Sequence, residues 1–447
     1  MKNKTIIFWL FAFTLFTACD DALDVKPENY LFEEQLVTDD KSAQTSLVGV
    51  YTQLNSTYIS QYSELLPALM AGELSTTNTG FFRDASLNDF DPNSISVKLF
   101  YEVFYDIINS ANATISGVLG NDAVSKVEQD RILSEAYFLR AFGHFQVLRY
   151  FGQFFDINSP YGIVILKELS TFENRERPRL SVQESYDFIL KDLDESIRLN
   201  APFTNNFYAS ALAAKAFKAN VLLYIGGDAN YTQAINLANA VINDGSVTLE
   251  TNFADIFDNG NSNAEVIFSR FADNSASTKT ASFYQLQNKA STLIKNYLQN
   301  DPRATDSYNS TNSRIKKVYI LDLKGGPTNF MRLAELYLIK AECQARLNLL
   351  SEAETTLNFV RQRAYGAIPP ALTYNNSDEL LNLIFEEYVK ELCFEAGSVW
   401  FSAVRHNKIE TVNPNVSSTN QYILPIPLNE LESNTLFGAQ NPGYDGI

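Results

Sequence analysis

The first residue placed to do chemistry is Cys19, which directly follows an apolar leader. The chain begins with a lysine-containing stretch, an uncharged run covers residues 6–16, and small residues occupy positions 17 and 18. That run is shorter than the about 20 apolar residues that a membrane-spanning helix needs, and its layout is typical of a secretory signal peptide. A cysteine directly after the small residues indicates a lipobox. We therefore predict that residues 1–18 are removed and that Cys19 is lipidated; the alternative is plain secretion with a stray cysteine.

Acid–base and metal chemistry leave no such signal. The chain has 52 carboxylates, so adjacent pairs such as Glu386 and Glu387 are unavoidable. A glycosidase needs two carboxyls about 5–9.5 Å apart across a cleft, which sequence spacing cannot reveal. We find no Gly-rich phosphate loop and no Gly-x-Ser-x-Gly motif. The two histidines, His144 and His406, lie far apart without nearby cysteines, so no zinc spacing exists. We expect no enzyme activity, no metal and no cofactor.

Composition limits the class of partner. With 45% hydrophobic and 13% aromatic residues the chain can fill a large core, which excludes wholesale disorder. Its net charge of −17 argues against nucleic acid and anionic membrane surfaces, because both require clustered lysine and arginine. Beyond the leader, Cys343 and Cys393 fall within helical patterns, and we expect both to be buried free thiols.

Helical periodicity is strongest around residues 329–366. Two apolar stripes run through the first part of this segment, which predicts a helix held between neighbours. The stripes are Phe330, Leu333, Ala334, Tyr337 and Ala341, and then Leu336, Ile339, Cys343 and Leu347. After a short break we predict a second helix, with Ser351 as N-cap and Glu354 completing a capping box. Ala341 and Ala353 are expected where the two helices cross closely.

Similar helix pairs recur at intervals of about 35–50 residues, which is typical of helical repeats. Candidates lie near residues 97–152 with 181–200, and near 209–244. The predicted fold is all-α: a tetratricopeptide-like scaffold of about four helix pairs with long decorating loops and minor β-structure. Residues 314–324 alternate well enough for a strand. We predict one compact domain over 19–447, with halves at about 19–255 and 256–447.

Several phrases together resemble the SusD/RagB family of surface nutrient-binding lipoproteins. They occur in family order from residue 24 to the C-terminus. They are "LDVKP", "ILSEAYFLRAFGHFQVLRYFG", "DPR", "FMRLAELYLIKAE", "VRQRAYG", "KELCFEAGSVWFSAVRHNK", "YILPIPLNELESN" and "QNPGY". The chain departs from the family where Tyr388 follows Glu387 and where Ser402 stands between Trp400 and Arg405. We interpret those positions, Trp400 included, as helix packing and buried polar contacts.

The resemblance implies a binding protein anchored on the outer face of the outer membrane. Acids directly after the lipidated cysteine act as a surface-export signal in the family, and Asp20 and Asp21 fit that role. The expected partner is a SusC-like TonB-dependent transporter, to which the protein delivers a glycan; no nucleic acid is expected. Two alternatives stay open: capture of oligopeptides by the same architecture, and a lipid-anchored glycosidase.

The family's ligand site is built from two loops, which this chain matches at 71–97 and 270–290. Aromatic rings there would cover the flat C–H faces of a sugar, and polar side chains would orient its hydroxyls. The candidate ligand-binding residues are Glu73, Phe81, Phe82, Arg83, Asp84, Asn88, Phe283 and Tyr284. We predict that Phe82 and Tyr284 are the sugar platforms. The alternative for each ring is that it pins a long loop to the core.

Overall fold

The structure, a computed structural model, describes residues 37–272, 279–320, 326–366 and 368–444. The predictions for the signal peptide, Cys19, Asp20 and Asp21 lie outside these ranges. Helices dominate, and their bounds are α1 (Asp40–Leu54), α2 (Ser63–Met70), α3 (Phe81–Leu87), α4 (Ile95–Val118), α5 (Lys126–Phe151), α6 (Val182–Leu199), α7 (Ala211–Ile225), α8 (Asp228–Ile242), α9 (Asp255–Asp258), α10 (Thr292–Tyr297), α11 (Ala304–Ser307), α12 (Leu333–Arg346), α13 (Leu350–Tyr365), α14 (Ser377–Leu392), α15 (Ser398–Arg405), α16 (Ile409–Val412) and α17 (Leu428–Ser433). The described residues also include two π-helices (Tyr58–Tyr62 and Ser282–Gln287) and two 3₁₀ turns (Gly260–Ser262 and Thr419–Tyr422).

The long helices pack against one another in pairs. Helix α1 packs on α4, α5 on α6, α7 on α8, and α12 on α13, while α12 also contacts α8 and α14. Contacts also join neighbouring pairs, since α4 packs on α5 and α6 packs on α7, which is how stacked repeats bury a continuous core. The predicted all-α scaffold of about four helix pairs is confirmed.

Helix α5 lies at the centre of this scaffold, because nearly every residue from Ile132 to Phe151 is buried. Its polar members are paired inside the core. Arg140 donates both Nε and Nη2 to Asp192 of α6, at 2.7 Å each, and the Nδ1 of His144 contacts its own helix at the carbonyl of Arg140. Burial lowers the pKa of His144 to about 3, so its ring is neutral. Among the described residues, no helix is long and apolar enough to cross a membrane.

The residues of the two apolar stripes predicted around α12 divide between two clusters, and Phe330 and Leu333 of the first stripe lie in the main core. Leu336, Ile339 and Cys343 join the main core, whereas Ala341 packs with Ala353 in a smaller cluster between α12, α13 and α14. The prediction that this helix is held between neighbours is therefore confirmed, and both Cys343 and Cys393 are buried free thiols.

The predicted cap of the following helix is wrong. Helix α13 begins at Leu350, and its N-cap residue, Leu349, provides no side-chain hydrogen bond. Ser351 already lies inside the helix, where its carbonyl accepts from Thr355. The Glu354 carboxylate instead accepts from the hydroxyl of Tyr374, at 2.7 Å. A tertiary contact has replaced the local one.

In the ranges that the structure describes, two short antiparallel pairs supply the β-structure. Strand β1 (Leu74–Thr76) pairs with β3 (Asn288–Ala290). Strand β2 (Val266–Arg270) pairs with β4 (Thr328–Arg332). The strand predicted over 314–324 does not form in its described part, where Arg314 and Ile315 make only isolated bridges.

A buried ion cluster joins the C-terminal elements. Arg332, the last residue of β4, contacts Glu265 and Glu391 at 2.6 Å each and Glu395 at 2.7 Å. Four cations and five carboxylates take part, and they are Arg303, Lys317, Arg332, Arg363, Glu265, Asp301, Glu387, Glu391 and Glu395. Because every member has an opposite charge at contact distance, the cluster offsets the desolvation that burial imposes.

Candidate ligand-binding surface

The two segments expected to bind ligand lie side by side. Strand β1 follows the start of the first segment, and β3 ends the second, with Leu74 opposite Ala290 in the ladder. Beyond the ladder, the amide of Asn78 donates to the side-chain oxygen of Gln287, at 2.9 Å. The first segment also contains α3, so it is more ordered than the turn-rich loop that its sequence suggests. This pairing fixes the spacing of the side chains that both segments carry.

Aromatic rings fill the space between the segments. Tyr62 stacks on Phe81 with ring centroids 5.1 Å apart, and Tyr58 meets Tyr62 edge-on at 5.1 Å. Phe82 lies beneath them and meets Phe283 edge-on at 5.0 Å. Tyr58, Tyr62, Phe81 and Phe283 are half-buried, and we call these four residues the aromatic surface. Since each ring packs against another, the surface is preformed and still presents apolar area to solvent.

Both π-helices contribute to the aromatic surface. Tyr58 and Tyr62 begin and end the first, and Phe283 lies in the second. The π-helix is rare, and where it occurs it is frequently found at functional sites. Here two π-helices, from segments more than 200 residues apart, meet at one surface. This favours the surface as a functional site.

A buried polar network holds the two π-helices together. The hydroxyl of Tyr284 donates to Glu64 Oε2 at 2.6 Å, and Lys279 Nζ donates to Glu64 Oε1 at 2.7 Å. The backbone N–H of Thr280 donates to the side-chain oxygen of Gln61, at 3.0 Å. Burial raises the pKa of Glu64 and lowers that of Lys279 to about 8, while their mutual attraction opposes both shifts. This network positions the rings above it.

The structure corrects the prediction for Phe82 and Tyr284. Phe82 is 3% exposed and Tyr284 is 0% exposed, so neither ring has a free face for a ligand. Phe82 is covered by Tyr62 and Phe283, and Tyr284 is held by its hydrogen bond to Glu64. Both rings pin their segments to the core, which is the alternative that the sequence left open.

Glu73 and Asn88 are also buried and therefore do not face a ligand. Glu73 Oε2 accepts from the backbone N–H of Phe394, at 2.6 Å, and burial raises the pKa of Glu73 to about 8. Asn88 closes α3 in the left-handed conformation, with φ of 50°, and its amide donates to the carbonyl of Met70 at 3.2 Å. Both side chains shape the backbone of the first segment.

The other four candidates remain accessible. Phe81 and Phe283 belong to the aromatic surface, and Arg83 is exposed while Asp84 is partly exposed. The guanidinium of Arg83 makes no hydrogen bond to any described residue, so its donors are available. Partial burial raises the pKa of Asp84, and the neighbouring Arg83 charge opposes this shift. A forked donor and a carboxylate thus stand beside the rings.

A cleft of about 510 Å³ borders the second π-helix. Gln285 and Leu286 of that helix line it together with Arg314, Tyr319 and Ile320. Its volume lies within the range of pockets that enclose small-molecule ligands, about 300–1,000 Å³. In the described part of the chain, no three His, Cys, Asp or Glu side chains converge in a way that could hold a metal ion.

Sequence reasoning missed the tyrosines of the surface and the far wall of the cleft. Tyr58 and Tyr62 are four residues apart in "YISQY", and this spacing just before the first segment is a signal that could have been used. Tyr319 fell in a segment predicted as a strand. The cleft itself has no local signal, because its walls come from separate parts of the chain near residues 254–258, 281–286 and 306–320.

A helical-repeat scaffold that displays a preformed aromatic surface and an adjoining cleft defines a class of ligand-binding proteins. Comparison with models of protein families identifies the family. The model of the SusD family matches residues 181–413, and a model described as "Starch-binding associating with outer membrane" matches residues 21–223. The first covers more than half of the chain, which therefore belongs to the SusD family.

Individual relatives agree with this assignment. The chain is 24% identical to SusD-like protein P38 of Formosa agariphila, over 97% of both chains. Its fold matches a SusD superfamily protein from Bacteroides thetaiotaomicron with a TM-score of 0.77 and 21% identity, over 90% of this chain and 100% of that one. It also matches a SusD-like carbohydrate binding protein from Bacteroides vulgatus with a TM-score of 0.69 and 19% identity, over 83% and 84% of the two chains.

Proposed function

We propose that the protein is a cell-surface lipoprotein that binds an oligo- or polysaccharide and delivers it to a SusC-like TonB-dependent transporter of the outer membrane. The observation that carries this proposal is the aromatic surface formed by Tyr58, Tyr62, Phe81 and Phe283. Membership of the SusD family supports it, as does the likeness in fold to a protein named for carbohydrate binding.

The chemistry of the surface suits a sugar. A pyranose offers a flat apolar C–H face that stacks on an aromatic ring, and a rim of hydroxyls that needs fixed donors and acceptors. Phe81 and Phe283 supply ring faces or edges, and Arg83 and Asp84 supply a forked donor and a carboxylate beside them. The arrangement can bind and orient a neutral glycan without any covalent step.

The remaining parts of the proposal concern the cell. Acylation of Cys19 and recognition of Asp20 and Asp21 would place the protein on the outer face of the membrane, where a polysaccharide arrives. The net charge of −17 favours a body held away from anionic lipid surfaces. Affinity purification from native membranes should then recover a large β-barrel transporter with the lipidated chain, and its repeated absence would argue against delivery.

A binding panel tests the class of ligand. The purified chain without its leader is titrated calorimetrically with neutral polysaccharides, with their oligosaccharides and with mixed oligopeptides. We expect heat and saturable binding with at least one glycan and none with peptides. Binding of peptides alone would replace the glycan by the alternative ligand, and release of reducing ends during the titration would indicate a glycosidase.

A further inference from the structure

A second aromatic cleft, of about 220 Å³, lies at the C-terminal end of α1. Residues of α1 line it together with the loop between α6 and α7 and with Phe271, which follows β2. The lining residues are Val48, Tyr51, Thr52, Leu54, Asn55, Phe207, Tyr208 and Phe271. None of them belongs to the aromatic surface or to the larger cleft.

Four rings meet edge-on or tilted in this cleft, in three successive pairs. Tyr51 and Tyr208 are 5.2 Å apart between ring centroids, Phe207 and Tyr208 are 5.0 Å apart, and Phe207 and Phe271 are 4.9 Å apart. Tyr208 is 39% exposed and Phe271 is 36% exposed. Both rings are far more exposed than the neighbouring Leu54, which is 2% exposed and belongs to the main core.

Hydrogen bonds fix the walls in place. The hydroxyl of Tyr51 donates to Glu135 at 2.6 Å and accepts from the backbone N–H of Ala209 at 2.8 Å. The carbonyl of Asn206 accepts from the backbone N–H of Ser269 at 2.7 Å, which ties the loop to β2. A cleft held in this way does not need to be ordered by its ligand, which lowers the entropic cost of binding.

The polar groups that line the cleft indicate which class of ligand it suits. The side chain of Asn55 and the hydroxyl of Tyr208 make no hydrogen bond within the described ranges, so both offer donors and acceptors to an occupant. Among the described residues that line the cleft, no side chain is charged. Aromatic faces, an amide and a hydroxyl without any charge suit a neutral, polyhydroxylated ring. A sulfated or carboxylated ligand would lose its hydration there without gaining an ion pair.

We propose that this cleft holds one pyranose unit of a neutral glycan, as a second contact that extends the aromatic surface. The inference rests on the proposed function. Asn55 lines the cleft and Tyr58 begins the aromatic surface, and three peptide steps separate their Cα atoms by at most about 11 Å. A long glycan chain can therefore occupy both places at once. The second contact then acts at high effective concentration, and it strengthens binding only for chains long enough to reach it.

A length series tests this directly. Wild-type chain is titrated with neutral malto-, cello- and xylo-oligosaccharides of two to eight units, together with three single variants. Tyr208→Ala removes an exposed ring of the cleft, Phe81→Ala removes one of the aromatic surface, and Phe172→Ala removes a ring that is 75% exposed elsewhere. We expect Tyr208→Ala to weaken binding of six to eight units at least fivefold and of two or three units less than twofold. Phe81→Ala should weaken all lengths, and Phe172→Ala none.

The substitution Asn55→Leu shows whether the cleft binds a sugar or an apolar group. The change keeps the approximate size of the side chain but removes its amide, so a glycan unit should bind more weakly and an apolar group should not. Wild-type affinity of both Tyr208→Ala and Asn55→Leu for every length, with Phe81→Ala still impaired, would overturn the second contact alone. Failure of the wild-type chain to bind any of these glycans, and any polysaccharide of the wider panel, would instead reject the proposed function, and this inference with it.

Discussion

The substitution Glu73→Gln tests whether the Glu73 carboxyl has a structural role or contacts the ligand. Glu73 is 1% exposed at the base of β1, where its Oε2 accepts from the backbone N–H of Phe394. Burial raises its pKa from 4.5 to about 8; the Phe394 hydrogen bond and the charge of Lys317 oppose this shift, and Glu395 adds to it. The carboxyl is therefore largely protonated in the folded chain at neutral pH.

The sign and size of the effect follow from these two pKa values. Between pH 4.5 and pH 8 the folded chain keeps a proton on Glu73 that the unfolded chain has released, so its free energy of unfolding falls as the pH rises. One pH unit corresponds to about 1.4 kcal/mol, so the loss across the window is about 5 kcal/mol. Glutamine is neutral throughout and escapes this loss. Its extra N–H adds a constant cost of about 1–3 kcal/mol if left without a partner, which does not change the slope.

Urea unfolding of wild type and Glu73→Gln between pH 5 and pH 9 measures this difference. The variant should gain stability relative to wild type as the pH rises, by several kcal/mol over the series. Glu432→Gln, on the surface, should instead run parallel to wild type. Parallel curves for Glu73→Gln would refute the buried, protonated state. Glycan affinity should not change, and its loss without a change in stability would return Glu73 to the ligand site.

Three further substitutions have defined outcomes. Arg332→Met leaves Glu391 and Glu395 short of a cation in the buried ion cluster and should lower the free energy of unfolding by about 3–5 kcal/mol; urea unfolding within 1 kcal/mol of wild type would contradict this. Ala341→Leu overpacks the cluster between α12 and α13 and should cost about 1–3 kcal/mol, seen as a lower melting temperature. Cys19→Ala should abolish incorporation of labelled fatty acid, and continued labelling would disprove the lipobox.

The sequence predicted the scaffold because helical periodicity is a local signal. The two stripes of α12 place Ala341 and Cys343 on different faces, and the structure packs them in different clusters. The family phrases could be seen but not explained from the sequence. Arg303 of "DPR", Arg332 of "FMRLAELYLIKAE" and Glu391 of "KELCFEAG" are far apart in sequence and meet in one buried ion cluster. Their common role depends on tertiary contacts, which residue types alone do not reveal.

The site was predictable only as far as its two segments. Whether a ring in a loop is a platform or an anchor depends on what another part of the chain lays over it. Phe82 is covered by Phe283, and Tyr284 reaches Glu64, which is 220 residues away in sequence. Neither contact can be predicted from the spacing of nearby residues. The two rings predicted as sugar platforms, Phe82 and Tyr284, are therefore the buried ones. The half-buried Phe81 and Phe283 were among the candidates, whereas Tyr58 and Tyr62 were not.

The central claim is that the aromatic surface binds the glycan. It is tested most directly by the affinity of the double variant Phe81→Ala/Phe283→Ala for an oligosaccharide that binds wild type. Removal of two rings that touch a sugar should cost at least about 2 kcal/mol, as for truncated hot spots, which is roughly a thirtyfold rise in Kd. Calorimetry measures this, with Phe172→Ala as the matched control and melting temperature as the check on folding. The account predicts a weakened but folded variant. Wild-type affinity in a folded double variant would contradict the assignment of this surface as the glycan site.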